Sequence, residues 1–229
     1  RTNTVWVGDV KYKDISGPDG VPDGVIDDYD KTNIGSPMPK FTFGWTNTFR
    51  YKNFDLSVFI NGSYGNKVYN YLSMKLTHMN SPWTNQLNAV NGRAQLVPIN
   101  PNKVYEDGTM WYNDVSNVMV ANPGASIPRA TINDPNDNDR ISDRYIEDGS
   151  YIRLKNISLG YTFPKKTIDK LGLSNLRIYA NIQNLLTITG YDGYDPEIGA
   201  STSSVNVYGL DNGRYPSPTV YSFGLNVSF

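Results

Sequence analysis

Apolar and polar residues alternate along the end of the chain, from Thr219 to Phe229. Every second position in this stretch is apolar or aromatic: Tyr221, Phe223, Leu225, Val227 and Phe229. The positions between them are small or polar, with Val220 as the exception. A period of two places the two sets on opposite faces of a β-strand, and a stretch of about eleven residues can cross a bilayer at a tilt. We therefore predict a strand whose apolar side faces lipid and whose other side faces a polar lumen.

The same alternation occurs in four other stretches, where aromatic or aliphatic residues alternate with Gly, Ser, Thr, Asn and a few charged residues. The first two of these stretches are separated only by Lys52 and Asn53, which indicates a β-hairpin with a tight turn. Together with the last stretch, the pattern predicts five antiparallel strands near 40–51, 53–69, 150–163, 175–187 and 218–229.

The lengths of the connections also alternate along the chain. Two links are short, at 52–53 and 164–174, and three are long and irregular, at 1–39, 75–148 and 189–217. Outer-membrane barrels show this asymmetry, because their periplasmic turns are short and their extracellular loops are long. About five strands cannot close a barrel, and an open sheet edge in lipid leaves backbone groups without partners. We therefore predict an all-β fold that forms the C-terminal portion of a larger antiparallel transmembrane β-barrel. The absence of a signal peptide at Arg1 agrees with a piece of a longer protein.

Composition narrows the possible partners. The chain has 22 acidic and 21 basic residues, one histidine and no cysteine. This balance argues against binding to nucleic acid, which requires clustered lysine and arginine. The absence of cysteine excludes disulfides and thiolate metal sites. No stretch approaches the roughly 18 consecutive apolar residues of a transmembrane helix, as expected when the membrane-facing residues lie on strands.

Several short motifs follow one another in a fixed order along the chain. They are Gly8-Asp-Val-Lys-Tyr-Lys-Asp14, Asp23-Gly-Val-Ile-Asp27, Gly35-Ser-Pro-Met-Pro-Lys-Phe41, Tyr51-Lys-Asn-Phe-Asp-Leu-Ser57, the stretch from Tyr145 to Tyr161, Asn184-Leu-Leu-Thr187, Gly193-Tyr-Asp-Pro-Glu197 and the terminal residues from Tyr221 to Phe229. With these motifs the chain resembles the C-terminal end of the SusC/RagA family of TonB-linked outer-membrane transporters.

This resemblance implies a barrel of about 22 strands with an N-terminal plug, in the outer membrane of a Gram-negative, Bacteroidetes-like bacterium. It also implies a SusD-like lipoprotein that covers the barrel from outside. Such a transporter imports oligosaccharides or peptides with energy relayed by TonB, through a part of the protein that precedes this segment. The resemblance therefore indicates a transport function and no catalytic residues.

An acidic loop near the start of the chain has the spacing of a calcium-binding loop. Its carboxylates are Asp14, Asp19, Asp23, Asp27 and Asp30. Counted from Asp19 as position 1 of an EF-hand loop, Asp23 falls at position 5, Gly24 at position 6 and Asp27 at position 9. The match is incomplete, because Val21 stands at position 3, Asp30 replaces the glutamate at position 12 and no helices flank the loop. The alternative is a solvated acidic turn, because Asp and Gly are good turn residues. Calcium is thus one of two interpretations of this loop.

Aromatic side chains in the long loops are candidates for contact with substrate or with the lipoprotein. We consider five of them: Trp83, Trp111, Tyr112, Tyr191 and Tyr194. Aromatic rings could stack on sugars or contact the lipoprotein, but for most of them the pattern favours packing of the loops against one another.

The remaining candidate groups give no catalytic site. His78 has no Ser, Cys or second His in a recognisable arrangement, so we predict a surface histidine. Asp192, Asp195 and Glu197 could form the carboxylate pair of a glycosidase. Their position in a loop motif favours a role in fixing that loop.

Two other functions compete with the nutrient importer. A siderophore receptor has the same architecture, but the loop motifs disfavour it. A secreted, calcium-stabilised β-sandwich that binds glycans or adheres to surfaces is also all-β. The alternating link lengths and the apolar outward faces argue against this sandwich.

Overall fold

The computed structural model describes residues 5–132, 134–198 and 207–229. In chain order the strands are β1 (Phe41–Tyr51), β2 (Phe54–Tyr64), β3 (Lys67–Asn70), β4 (Leu96–Pro98), β5 (Val118–Val120), β6 (Ile146–Asp148), β7 (Tyr151–Thr162), β8 (Asn175–Thr189), β9 (Leu210–Asp211) and β10 (Val220–Ser228). Two short helices accompany them, α1 (Tyr71–Thr77) and α2 (Lys165–Ile168). Single 3-10 turns lie at Asp28–Asp30, Asn88–Gly92, Trp111–Asn113, Val115–Asn117, Asp143–Tyr145 and Asp169–Leu171.

The main feature of the fold is a five-stranded sheet with the order β1-β2-β7-β8-β10, in which all neighbours are antiparallel. Two smaller sheets have the orders β6-β3-β9 and β4-β5. The five predicted strands are confirmed, but the predicted end of the second strand is wrong. Gly65 has a left-handed φ of +83°, so β2 ends at Tyr64 and the residues that follow form β3 in a different sheet.

The five-stranded sheet has one apolar and one polar face. Rows of residues that lie opposite one another across the strands show this directly. One row is apolar: Phe49, Leu56, Leu159, Ala180 and Phe223. The next row is polar: Thr48, Ser57, Ser158, Asn181 and Ser222. Phe223 is 84% exposed, and Trp45 and Phe49 are also exposed, so in this structure the apolar face is uncovered. The register therefore confirms the period-two prediction for the last strand.

The connections between these five strands alternate in length as predicted. β1 and β2 are joined by Lys52 and Asn53, and the positive φ of Lys52 gives the tight turn its shape. β7 and β8 are joined by a short link that contains α2. The connections from β2 to β7 and from β8 to β10 are long, and they carry the small sheets and the 3-10 turns. Long and short links thus lead to opposite ends of the sheet.

Contacts between residues divide the chain into two compact units. The loop unit consists of residues 5–34, 71–132 and 134–145, and the sheet unit consists of residues 35–70, 146–198 and 207–229. Buried apolar residues are scattered in both, such as Val118 and Ile127 in the loop unit and Val68 and Ile168 in the sheet unit. Among the described residues, buried polar side chains outnumber them, so hydrogen-bond networks hold much of the folded chain.

Within the part of the chain that the structure describes, no helix combines the length and the apolar character needed to span a membrane.

An ion pair crosses three strands on the polar face of the sheet. Arg177 of β8 donates from Nη2 to Oδ2 of Asp55 on β2 at 2.6 Å and from Nε to Oδ1 at 3.2 Å. Gly160 of β7 lies between them, and a Cβ atom at this position would collide with both side chains. The pair therefore requires glycine at position 160.

Substitution of Gly160 by valine is expected to separate this ion pair. The added side chain must displace the ends of the Arg177 and Asp55 side chains, so we expect a loss of about 1 kcal/mol in the free energy of unfolding. The measurement is the thermal midpoint of the purified protein in detergent. Gly190→Val is the matched control, because nothing lies within 4 Å of a Cβ atom built at Gly190. Equal midpoints for the two variants would contradict the role of Gly160.

Candidate functional site

The carboxylates of the acidic loop form hydrogen bonds to the backbone of the loop itself. Asp14 accepts from the Gly24 N–H at 2.6 Å, and Asp27 accepts from the Tyr29 N–H at 2.8 Å. Asp23 accepts from the Val25 N–H, and Asp19 lies in an exposed turn. In the described part of the chain, the one group of three or more closely spaced ligand atoms lies elsewhere, at His78. Calcium binding by this loop therefore stays a prediction, which a calcium titration of the loop can test.

Asp30 is the centre of these bonds. Its Oδ1 accepts from the Ile15 N–H at 2.7 Å and the Ser16 N–H at 3.2 Å, and its Oδ2 accepts from the Asp27 N–H at 2.9 Å. These bonds, that from Asp27 foremost and that from Ile15 next, lower the pKa of Asp30. A single carboxylate thus joins the two ends of the acidic loop.

Acid is expected to loosen the loop. Because the pKa of Asp30 is lower in the folded state, its bonds stabilise the loop fully above the ordinary Asp pKa of about 4 and lose this effect as the pH falls through the folded value. Hydrogen–deuterium exchange at Ile15 and Ser16, corrected for the intrinsic rate, should accelerate in acid. In Asp30→Ala it should be fast at every pH, whereas Asp28→Ala, which alters an exposed carboxylate, should match the parent. Equal protection in both variants would refute this account.

His78 lies in the interior of the loop unit, so the prediction of a surface histidine is wrong. Its ring is 8% exposed and sits between two carboxylates, with Nε2 2.7 Å from Oδ2 of Asp134 and Nδ1 3.2 Å from Oδ2 of Asp139. The end of α1 positions the residue, because the His78 N–H donates to the Met74 carbonyl. The run of Asp and Asn between positions 133 and 139 was the available signal for such a partner.

The His78 group has the residue types of a metal site, but its geometry is that of a hydrogen-bonded clamp. The two carboxylates face different ring nitrogens, and one metal ion can bind only one of these nitrogens. Asp134 also accepts two hydrogen bonds from Asn138, one from its backbone N–H and one from its side-chain amide. We therefore assign the group a structural role.

Asn138 connects this clamp to the start of the chain. It is 2% exposed, and its Oδ1 accepts from the Val10 N–H at 2.7 Å. Its Nδ2 donates to Asp9 at 3.2 Å and to Asp134 at 2.5 Å. Asp9 in turn accepts two bonds from Arg129. Asp9 and Val10 are thus joined to Arg129, Asp134 and Asn138 in one polar network.

A cleft of about 1310 Å³ opens in the loop unit beside this network. Its walls come from the segment after α1, the start of β4, the 3-10 turn at Trp111–Asn113 and the segment around Arg129. The lining includes Trp6, Tyr112, Met79, Leu96, Arg93 and Arg129. It combines aromatic and aliphatic surface with a few polar groups, which is typical of a binding site for a small molecule or a short oligomer.

Three of the five predicted loop aromatics lie at or near the cleft. Tyr112 lines it, and the ring of Trp111 packs edge-on against Tyr112 with centroids 5.6 Å apart. Trp83 is 91% exposed, and its neighbours Pro82 and Thr84 line the cleft. Trp6 completes the aromatic surface and donates from Nε1 to the Tyr112 carbonyl at 3.2 Å. No sequence pattern had singled out Trp6, because it reaches Tyr112 only through the fold.

The other two predicted aromatics lie in the sheet unit. Tyr191 is buried and donates its hydroxyl to Asp211 Oδ2 at 2.5 Å, and burial together with this carboxylate raises the pKa of Tyr191. It therefore packs the connection before β10 rather than facing a ligand. Tyr194 is exposed. Its contact with a ligand stays a prediction.

Arg153 of β7 anchors the connection between β8 and β10. The guanidinium is 3% exposed and donates to Asp195 Oδ1 at 2.5 Å and to Glu197 Oε2 at 2.7 Å. Lys155 also donates to Glu197, at 2.8 Å. For Asp195 and Glu197, the prediction that they fix the loop is confirmed. Asp192 contributes through its N–H, which donates to Glu147.

Asp195 is a carboxylate that is buried and charged. Burial alone would raise its pKa, but the hydrogen bonds from the Ser217 N–H, the Arg153 side chain and the Glu197 N–H prevail and hold it below the usual value. The charge of Asp195 therefore depends on partners from β7 and from both ends of the connection.

Comparison of the sequence with known proteins identifies relatives over nearly its whole length. TonB-dependent receptor P3 of Formosa agariphila is 34% identical over 223 residues, which is 95% of this chain and 19% of that protein. TonB-dependent receptor P26 of the same organism is 33% identical over 231 residues, which is 97% of this chain and 20% of that protein. TonB-dependent receptor SusC of Bacteroides thetaiotaomicron is 29% identical over 209 residues, which is 90% of this chain and 17% of that protein. No family model matches the chain.

Solved structures share the fold. The RagAB peptide importer in its closed-closed state superimposes with a TM-score of 0.63 and 19% identity, over 93% of this chain and 20% of that chain. The open-open state of the same importer gives a TM-score of 0.58 and 20% identity, over 93% of this chain and 20% of that chain. The chain thus has the fold of part of this importer.

These relatives are named as receptors and importers rather than enzymes, in agreement with the predicted absence of a catalytic role. The chain spans about one fifth of the length of the relatives that it matches. The chain is therefore a relative of the SusC-type TonB-dependent receptors, corresponding to a segment of these longer proteins.

Proposed function

We propose that this chain forms part of the barrel wall of a TonB-dependent transporter that imports nutrients through the outer membrane of a Bacteroidetes-like bacterium. The observation that carries the proposal is the five-stranded antiparallel sheet with an uncovered apolar face and a polar opposite face. In this proposal the apolar face contacts lipid and the polar face lines the lumen. The names of the relatives support the same function.

The remaining parts of the transporter are proposed as partners of this segment. β1 and β10 are the outer strands of the sheet, so strands from upstream in the same protein would pair with both of them. An N-terminal plug would fill the lumen, and TonB would act through that part. A SusD-like lipoprotein would cover the extracellular side, as the relationship to SusC suggests.

The cleft of the loop unit is proposed to contact the imported oligosaccharide or peptide. Its position among residues of the long β2–β7 connection supports this role, because these connections are extracellular in the proposed topology. Its aromatic residues Trp6 and Tyr112 offer flat apolar surface to a sugar ring or to an apolar side chain.

Labelling of neighbouring positions on β10 tests the orientation of the wall. This segment contains no cysteine, so Phe223→Cys and Ser222→Cys each introduce one thiol into it. In the receptor that carries this segment, reconstituted in liposomes, a nitroxide at position 223 should be more accessible to oxygen than to a polar nickel chelate. The label at position 222 should show the reverse order, because the two side chains point to opposite faces.

The two positions control for each other, since they share a strand and differ only in face. A lipid signature at position 222, or the same signature at both positions, would refute the proposed orientation. Accessibility to the polar reagent at both positions would favour the water-soluble β-sandwich instead.

A further inference from the structure

The charged groups among the described residues that line the cleft are all cationic. The lining contains the guanidinium groups of Arg93 and Arg129, and among the described residues it contains no carboxylate. The chain as a whole is almost neutral, so this local excess of positive charge does not follow from composition. An apolar cleft with cationic groups in its wall favours a ligand that carries negative charge.

The two guanidinium groups differ in their partners. Arg129 donates from Nε and Nη2 to the two carboxylate oxygens of Asp9, at 2.9 and 3.3 Å, so its charge is compensated within the protein. Arg93 donates from Nη1 to the Val90 carbonyl at 3.4 Å, and no described carboxylate forms an ion pair with it. Arg93 is therefore the cation that retains donors for a ligand.

The backbone holds Arg93 in place independently of its side chain. The Arg93 N–H donates to the Val90 carbonyl at 3.1 Å, and the Arg93 carbonyl accepts from the Asn122 side-chain amide at 2.9 Å. The neighbouring Ala94 N–H donates to Ile127 at 2.8 Å. Because the main chain carries these contacts, the guanidinium is not needed to build the wall. A change of its side chain should leave the fold intact.

We propose that Arg93 binds a carboxylate group of the imported substrate, while Trp6 and Tyr112 contact the adjoining apolar surface of the same molecule. A guanidinium presents paired N–H donors that match a carboxylate, and a half-buried position strengthens such a bond relative to open water. The inference rests on the proposed function and narrows the substrate class to carboxylate-bearing oligomers. Acidic sugars and acidic peptides both supply this group.

Binding of defined probes to the purified receptor in detergent tests the inference. The acidic probes are hexagalacturonate and a hexapeptide of alternating Glu and Ser, and the neutral probes are maltohexaose and a hexapeptide of alternating Gln and Ser. Isothermal titration measures the dissociation constant of each probe. We expect at least one acidic probe to bind more tightly than its neutral counterpart. Arg93→Gln should weaken that binding by about ten- to hundredfold, and Arg93→Lys should weaken it less.

Lys13→Gln is the matched control, because it removes an exposed cation of the loop unit that does not line the cleft. It should change binding by less than about twofold. The inference is overturned if neither acidic probe binds the parent protein, if neutral probes bind as tightly, or if Arg93→Gln binds like Lys13→Gln. Should Arg93→Gln fail to fold, Arg93→Lys alone decides, since it must still weaken binding. The probe that binds identifies sugar or peptide as the source of the carboxylate.

These outcomes are independent of the labelling experiment on β10. If the label at position 223 is accessible from lipid but substitution of Arg93 does not change binding, the proposed barrel wall stands and only the assignment of the substrate is refuted. Binding through Arg93 in a protein with the wrong labelling pattern would instead indicate a binding protein that is not a transporter wall.

Discussion

Replacement of Arg153 by methionine is expected to destabilise the connection between β8 and β10 by about 3–5 kcal/mol. The substitution removes the guanidinium and leaves Asp195 buried without its charged partner. The midpoint of thermal unfolding should fall, and the connection should become susceptible to limited proteolysis. Because a buried unpaired carboxylate is costly only while charged, the defect should shrink as the pH falls below the ordinary Asp pKa of about 4.

The pH dependence of stability differs between the parent and Arg153→Met because Asp195 has different partners in the two proteins. In the parent, the lowered pKa of Asp195 means that its charged state stabilises the fold above pH 4 and stops doing so in acid. In Arg153→Met the cationic partner is gone while burial still opposes the charged form, so the charge of Asp195 contributes less to stability than it does in the parent. The two proteins should therefore differ most near neutral pH.

Lys155→Met is the control for Arg153→Met. Lys155 binds the same Glu197, but both groups are about one third exposed, so its loss should cost no more than about 1 kcal/mol. A second substitution, Asp195→Asn, should restore part of the stability of Arg153→Met, because it removes the unpaired charge. Equal midpoints for Arg153→Met and Lys155→Met would show that the network does not anchor the connection.

Substitution of Asn138 by leucine is expected to lower the free energy of unfolding of the loop unit by at least about 3 kcal/mol. Leucine branches at Cγ as asparagine does, but it cannot accept from the Val10 N–H or donate to Asp9 and Asp134. Each buried polar group that loses its partner costs about 1–3 kcal/mol. Hydrogen–deuterium exchange at Val10 should become fast, and the midpoint of unfolding should fall.

The exposed Asn102→Leu is the matched control, since it makes the same chemical change at the surface and should alter stability by less than about 0.5 kcal/mol. Slow exchange at Val10 in Asn138→Leu would contradict the role of this network. It would show that residues 9–10 are held by other contacts.

Local patterns in the sequence predicted the sheet well and the loops poorly. The alternation of Tyr221, Phe223 and Leu225 predicted both the strand and which of its side chains share one face, because side chains in a strand alternate at a fixed period. The end of β2 was not predicted, because the left-handed conformation of Gly65 ends the strand without changing the pattern of apolar and polar residues in the sequence around it. Patterns of period two therefore determine which strands form but not where each one stops.

The candidate site depended on contacts that are distant in sequence. Tyr112 was predicted from its residue type, but Trp6 lies 106 positions away and reaches it only in the folded chain. Arg93 was not predicted either, because its special property is that no carboxylate among the described residues pairs with it in three dimensions. His78 was misplaced for the related reason that its partners Asp134 and Asp139 lie in another segment. Such networks have no local period that a sequence could display.

The register between β2 and β7 has a consequence for how the chain folds and how it can diverge. Leu56 pairs with Leu159 across the entire stretch that contains α1, β4 and β5, whereas β1–β2 and β7–β8 are joined by short links. The two hairpins can therefore form early, and their docking must wait until the intervening stretch has been brought together. The entropy cost of closing a loop grows only with the logarithm of its length, by about 0.6 kcal/mol per doubling. Insertions and deletions in that stretch thus cost the sheet little, so related proteins can keep the same five strands while the long connection between β2 and β7 diverges in length and sequence.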